Sequence, residues 1–251
     1  VIERAREAGL AAIALTDHDT LDGLPEAIAA GDRLGVRVIG GCEFSVAVSW
    51  GEMHLLGYFL DSGDQAIEGF LDAARKDRLR RALKMVEHLR AWGVEITEED
   101  VMAEAGTAAV GRPHVARALV RRGTVPDIQS AFEQFLGQGR RAYVEKTLPP
   151  FAEVAALVHA SGGVVSAAHL RDRGTRTALA ALKAQGLDAV EVRHPRHPPD
   201  VTAHLSDLAG VLGLLKTGGT DWHGDEHDDG RTLGSSAVPM EWLDRLEASR
   251  S

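Results

Sequence analysis

The feature that most constrains this chain is a recurring one: short apolar runs that break abruptly into carboxylates and imidazoles. Leu10-Ala11-Ala12-Ile13-Ala14-Leu15 runs into Thr16-Asp17-His18-Asp19-Thr20, and Glu43, His54, His169 and the triplet Asp221-Trp222-His223 also fall in or at the ends of predicted strands. A short buried run with a polar end reads as a parallel strand of an α/β protein, which places its chemistry at the C-terminal ends of its strands. Taken singly, each residue has a plainer use: Asp17 or Asp19 can cap the next helix, His54 can be a half-buried strand histidine, and His169 a helix cap. One polar strand end is ordinary, but five in one chain point to a shared metal centre.

The spacing between these runs sets the organisation. Strand Leu10–Leu15, helix Leu24–Leu34 closed by Gly35, strand Val36–Ile39 running into Gly40-Gly41-Cys42-Glu43, and strand His54–Leu60 form an alternating first part. From about Gln65 the rhythm changes to helices at Ala66–Trp92, Thr97–Ala105, Pro113–Arg122 and Asp127–Leu136, the second opening with Thr97-Glu98-Glu99-Asp100. Alternation resumes with helix Phe151–Ala160, strand Val164–Ala168, helix Arg176–Gln185, strand Ala189–Val192, helix Pro199–Leu208 and strand Val211–Leu215. The expectation is an α/β body formed by 1–63 and 150–251, with 64–149 as a helical insertion, its sheet a parallel barrel or open sheet with the site on the C-terminal face.

Composition narrows the function classes. With 251 residues, 44% of them hydrophobic, the chain can bury one large core or a core with a lobe attached. The single Cys42 excludes an intrachain disulfide, and no apolar run reaches the roughly 18 residues of a membrane span, so a cytoplasmic enzyme without a membrane partner is expected. A formal net charge of −9 argues against long duplex nucleic acid as a partner but leaves room for a small anionic substrate held by local arginines and metal ions.

Two constellations carry the chemistry. In an extended segment residues two apart point the same way, so Asp221 and His223 can reach one centre. Carboxylate together with imidazole suits Zn, Mn or Fe, and a glutamate such as Glu43 can bridge two ions through its separate oxygens. The second constellation is Gly111-Arg112-Pro113-His114-Val115-Ala116-Arg117, where a helix start carries Arg112, with His114 and Arg117 on one face three residues apart. It reads as a phosphate cradle or as an ordinary capped surface helix. His194, His197 and His227 lie near strand ends as candidate substrate or supporting groups, whereas His88, His159 and His204 read as helix-surface residues.

Thr16-Asp17-His18-Asp19-Thr20, Gly41-Cys42-Glu43-Phe44-Ser45, His54-Leu55-Leu56-Gly57-Tyr58, Gly111-Arg112-Pro113-His114, Ala168-His169 and Thr220-Asp221-Trp222-His223 together resemble the PHP (polymerase and histidinol phosphatase) family. Among its members they are similar to stand-alone phosphoesterases acting on nucleoside 3′,5′-bisphosphates and short RNA 5′ ends. The resemblance implies a distorted (β/α)7 barrel with a helical insertion and a centre of two or three divalent ions, Mn, Zn or Fe. By it Glu43 bridges two metals, His54 and His169 complete one, Asp221 serves another, and His18 and His223 serve the third. Glu43, Asp221 and His223 would be the catalytic set, and Arg112, His114, Arg117 and His194 would hold phosphate of a small nucleotide or short oligonucleotide. Histidinol-phosphate phosphatase, or a barrel that binds metal or nucleotide without turnover, are the alternatives. Two departures stand out: the His-x-His strand with its nearby Asp, which the resemblance expects at the start with three further ligands, is not in this sequence and is expected to belong upstream of Val1, and the usual Ala-His-Pro is Ala168-His169-Leu170.

Overall fold

The computed structural model describes residues 1–106, 109–224 and 232–250. They form two compact units, one of Val1–Glu68 with Leu148–Ser251 and the other Gly69–Thr147.

The first unit is built on a six-stranded sheet whose strands lie in sequence order. It opens with α1 (Ile2–Glu7), β1 (Ala12–Leu15), α2 (Leu24–Leu34), β2 (Arg37–Val48) and β3 (Gly51–Tyr58). Its second part runs through α7 (Phe151–Ala160), β4 (Val164–Ala167), α8 (Arg176–Lys183), β5 (Ala189–Arg193), α9 (Pro199–Leu212), β6 (Leu215–Gly218) and α10 (Met240–Ala248), where the numbers α3 to α6 belong to the helices of the second unit. Pairs β1–β2, β4–β5 and β5–β6 are parallel, as crossover helices require. The sheet nevertheless departs from the all-parallel arrangement expected, because β3 runs antiparallel to both β2 and β4. The cause is local: Ser49 and Trp50 are the whole connection between β2 and β3, Gly51 has φ +115°, and so short a link makes a hairpin.

The hairpin also corrects two boundaries. The run expected to stop at Ile39 belongs to a twelve-residue strand that ends at Val48, so Glu43 stands inside a strand rather than at its mouth. It is held there by unbroken register from Gly41 opposite Tyr58 to Val48 opposite Gly51. Gly40 and Gly41 permit this close approach: a Cβ at Gly40 would run into the Leu60 carbonyl oxygen, and one at Gly41 would lie 2.6 Å from that of Gly57. Val211 and Leu212, expected in a strand, instead finish α9, which Gly213 ends at φ +62° before β6 begins.

The second unit contains α3 (Gln65–Ala91) for most of its length, α4 (Glu98–Ala105), α5 (Arg112–Arg121) and α6 (Ile128–Ala131), which passes into a π-helical turn over Phe132–Leu136. No strand occurs among its described residues. It has its own core, in which Met85, Leu89, Ile96, Val115, Leu119 and Leu136 are buried together. The Thr97 hydroxyl accepts from the Asp100 N–H while Asp100 accepts from the Thr97 N–H, a capping box that fixes the start of α4. No described helix is long and apolar enough to cross a membrane.

Two glycines test this account. Gly40→Ala should lower the unfolding free energy by about 1–3 kcal/mol, because the obstacle is backbone that cannot rotate away. Gly69→Ala, exposed in α3 with open space around it, should raise it by about 0.5–1 kcal/mol. Urea denaturation of both variants checks the pair, and equal effects would show that neither environment is as described.

Candidate metal centre

Glu43 projects from β2 into the first unit and is 6% exposed. The loop after β1 is pinned to it through the backbone: the Glu43 N–H donates to the Asp17 carbonyl at 3.0 Å, and the Asp19 N–H donates to the Glu43 carbonyl at 3.2 Å. This brings His18 against Glu43, its Nε2 3.7 Å from Oε2. From β3, His54 Nδ1 lies 2.6 Å from Oε1. His169, two residues beyond β4, places Nε2 3.1 Å from the same oxygen and 3.2 Å from His54 Nδ1. Three histidines from three segments therefore converge on one buried carboxylate.

The charge state follows from these contacts. Burial pushes the Glu43 carboxyl up, but hydrogen bonds with His169 and His54, reinforced by His18, outweigh it and hold the group well below the usual carboxylate range. Burial works against the His169 imidazolium, yet Glu43 overcomes it and raises the His169 pKa. Beside them Asp17 is pushed up, chiefly by burial, while His18 and His223 pull the other way.

Asp221 forms a second focus. His223 Nδ1 lies 2.7 Å from the Asp221 carbonyl oxygen, so it is the nitrogen that donates, and Nε2 keeps its lone pair. His194 is arranged the opposite way. Its Nδ1 accepts the Arg196 N–H at 3.0 Å, leaving the proton of the neutral ring on Nε2, which lies 3.5 Å from Asp221 Oδ2. The two foci are linked through their rings: His18 and His223 have centroids 6.2 Å apart, and His169 and His194 5.5 Å apart. His18, Glu43, His54, His169, Asp221 and His223 are thus one array, with His194 at its edge and His197 behind it at 5.3 Å. His227 lies outside the described residues.

Two residues of the array, His169 at φ +52° and Asp221 at φ +49°, and Asp19 next to His18 at φ +50°, hold left-handed or near-left-handed backbone without being glycine or lying in a helix. Such backbone is costly for a side-chain-bearing residue and gathers where a side chain must be aimed. A cavity of about 760 Å³ opens beside the array, bordered by Glu43, His169, Glu191, Thr217 and Asp221. It also touches β1 and β6, whose outer edges pair with no strand among the described residues.

The donor set suits a divalent ion. Ligand atoms of His18, Glu43 and His54 lie within 4.8 Å of one another, close to the span of about 4 Å that two donors can bridge across one ion. Imidazole nitrogen with carboxylate oxygen is the chemistry of Zn, Mn and Fe sites.

Arg112, His114 and Arg117 belong to the second unit, apart in the chain from His194. At the start of α5 the Gly111 N–H donates to His114 Nδ1 at 2.9 Å, so the neutral ring carries its proton on Nε2. Burial, then Arg117 and Arg78, lower the His114 pKa and keep it neutral. Arg112 lies over the Phe132 and Tyr143 rings at 5.8 and 5.7 Å, and Arg117 Nε is 3.6 Å from Glu104. Arg78 and Glu191 escaped the sequence reading. Arg78 sits in a charged helix with no motif around it, whereas Glu191 had a signal, a lone acid within the apolar run Ala189–Val192.

Comparison with known proteins agrees with this geometry. The chain is 32% identical over 243 residues to a 3′,5′-nucleoside bisphosphate phosphatase of Chromobacterium violaceum, covering 93% of this chain and 84% of that one. It is 28% identical to a 5′-3′ exoribonuclease of Haemophilus influenzae, covering 89% and 83% respectively. The crystal structure of a protein from Bifidobacterium adolescentis, described as a metal-dependent phosphoesterase, superposes with a TM-score of 0.86 at 33% identity, covering all of this chain and 90% of that one. The sequence profile of the PHP domain matches residues 1–209, and the chain belongs to the PHP domain family.

Proposed function

We propose that the chain is a metal-dependent phosphoesterase that hydrolyses phosphate esters of small nucleotides, nucleoside 3′,5′-bisphosphates or short RNA 5′ ends. The observation that carries the reading is Glu43, a buried carboxylate faced on both oxygens by imidazoles, a set that serves a cation better than it serves a core. The activities named for the relatives from Chromobacterium violaceum and Haemophilus influenzae supply the substrate class. The same substrates set the enzyme in the cytoplasm.

In this reading His18, Glu43, His54, His169, Asp221 and His223 hold two or three divalent ions, Mn, Zn or Fe. The ions supply Lewis acidity at a phosphoryl oxygen and a nucleophilic water at neutral pH. Glu43 would offer both of its oxygens to the ions, and these already face different histidines. His223 offers Nε2 because its Nδ1 proton is committed to the Asp221 carbonyl. His194 presents an N–H, which makes it a donor to a phosphoryl oxygen rather than a ligand. Arg112, His114 and Arg117 grip a substrate phosphate with charge-assisted hydrogen bonds, the neutral His114 again donating from Nε2.

Replacing Glu43 with Gln or Asp221 with Asn removes anionic charge from the centre. Both variants should lose bound metal by elemental analysis and at least about a hundredfold in activity. Unchanged metal content would sink the ligand assignment.

Arg117→Ala should leave metal content intact and lower kcat/KM about 10- to 150-fold on a nucleoside bisphosphate, the effect of one lost charge-assisted hydrogen bond. A small chromogenic phosphate ester, with no second phosphate to hold, should lose less. Arg121→Ala, which removes an exposed partner of the same Glu104, is the control and should change neither substrate. Equal losses on both substrates would assign Arg117 to the stability of α5.

A further inference from the structure

Glu191 occupies the middle of β5 and is 4% exposed, between the buried Val190 and Val192. Its Oε2 is buried and makes no hydrogen bond with any described residue. The polar groups of that face are engaged elsewhere. The Ser166 and Thr217 hydroxyls lie 2.7 Å apart, and the buried Tyr58 hydroxyl is bonded to Thr217. A strand needs no carboxylate at such a place, and an apolar side chain of similar volume would avoid the cost of burying it.

Two features show that the position is specified. The register of β5 against β6 shifts between Glu191 and Arg193, a local irregularity of the kind that re-aims a side chain beside a site. Glu191 also borders the same cavity as Glu43, His169 and Asp221. Burial, with the charges of Glu43 and Asp221 added to it, pushes its carboxyl well above the usual range. Among the described residues four carboxylates, Asp17, Glu43, Glu191 and Asp221, border one cavity against a single lysine, Lys216, and the unused buried acceptor of Glu191 makes it a place that expects a positively charged or hydrogen-donating group.

We infer that Glu191 is a positioning carboxylate of the metal centre, accepting through Oε2 a hydrogen bond from a water or N–H group that accompanies the bound cation and adding its charge to those of Glu43 and Asp221. The inference rests on the metal-dependent reading of the array. It gives Glu191 a role in holding the cation rather than in contacting the ester, so its effect is read in metal affinity as well as in turnover. Outer carboxylates of this kind typically set metal affinity by about 10- to 100-fold.

The test uses Glu191→Gln, which keeps the shape and removes the charge, and Glu191→Asp, which keeps the charge. Mn2+ affinity is measured by titration calorimetry and thermal stability is measured after chelation. The expected result for Glu191→Gln is a metal-free Tm equal to or above that of the unmodified chain with Mn2+ binding at least about tenfold weaker. Glu191→Asp should fall between the two. Unchanged Mn2+ affinity in Glu191→Gln overturns the inference. So does a Glu191→Gln protein that is unstable or insoluble without metal, since the carboxylate would then serve the fold. An unmodified chain that takes up no Mn2+, and that Glu43→Gln leaves unaltered, overturns the metal-centre reading itself.

Discussion

The structure of the first unit depends on keeping the Glu43 carboxylate ionised away from water. A carboxylate that is 6% exposed is costly unless it is paired and hydrogen-bonded, and here the partners are His54, His169 and His18. Each comes from a different segment: the loop after β1, the strand β3 and the end of β4. To bring them together, β2 must run on past Ile39, fold back through a two-residue turn and pair with β3 in continuous register. The loop after β1 must dock on β2 through the backbone of Asp17 and Asp19. The hairpin, the close approach at Gly40 and Gly41 and the positive φ of His169 are therefore parts of one arrangement.

Much of this was legible in the sequence because metal chemistry uses few residue types, and those types interrupt apolar runs visibly. His18, Glu43, His54, His169, Asp221 and His223 could all be picked out, and the structure brings them into one array. A change of period near Gln65 was visible as well. The direction of β3 was not foreseen, since strand patterns look alike in either direction and only the length of the turn at Ser49-Trp50 decides. The start of β6 was misplaced because Val211 and Leu212 are apolar in either setting, and Gly213 sets the boundary. Glu191 was passed over because periodicity weighs a single acid against the apolar residues around it, and only its burial and its unbonded oxygen make it notable.

The two units gather different kinds of charged side chain. In the sheet unit the cavity is bordered by Asp17, Glu43, Glu191 and Asp221 with Lys216 on its wall, and among the acids Glu43 is held ionised by its imidazoles while burial pushes Glu191 toward its neutral form. In the helical unit Arg112 and Arg117 lie on α5, and burial, with the charges of Arg117 and Arg78 added to it, lowers the pKa of His114 and favours its neutral imidazole. Carboxylate and imidazole can release a cation or exchange a proton near neutral pH, whereas guanidinium holds its charge throughout and offers planar donors to a phosphate. The two units thus differ in residue type, carboxylate with imidazole around the cavity of one and guanidinium at the start of α5 in the other.

Backbone hydrogen bonds carry that division down to single nitrogens. An imidazole has one proton when neutral, and whichever nitrogen the backbone engages decides what the other can do. Where a carbonyl takes the Nδ1 proton, as with His223 on Asp221 and His197 on Val192, Nε2 is left with a lone pair. Where an N–H donates to Nδ1, as Arg196 does to His194 and Gly111 to His114, Nε2 is left with the proton. His223 therefore offers a lone pair at Nε2, and His194, although it lies 3.5 Å from the same Asp221, offers a proton there. Proximity alone would not tell the two rings apart. The backbone separates them, and it gives the same donor character to His114 in the other unit, where arginines and not carboxylates surround it.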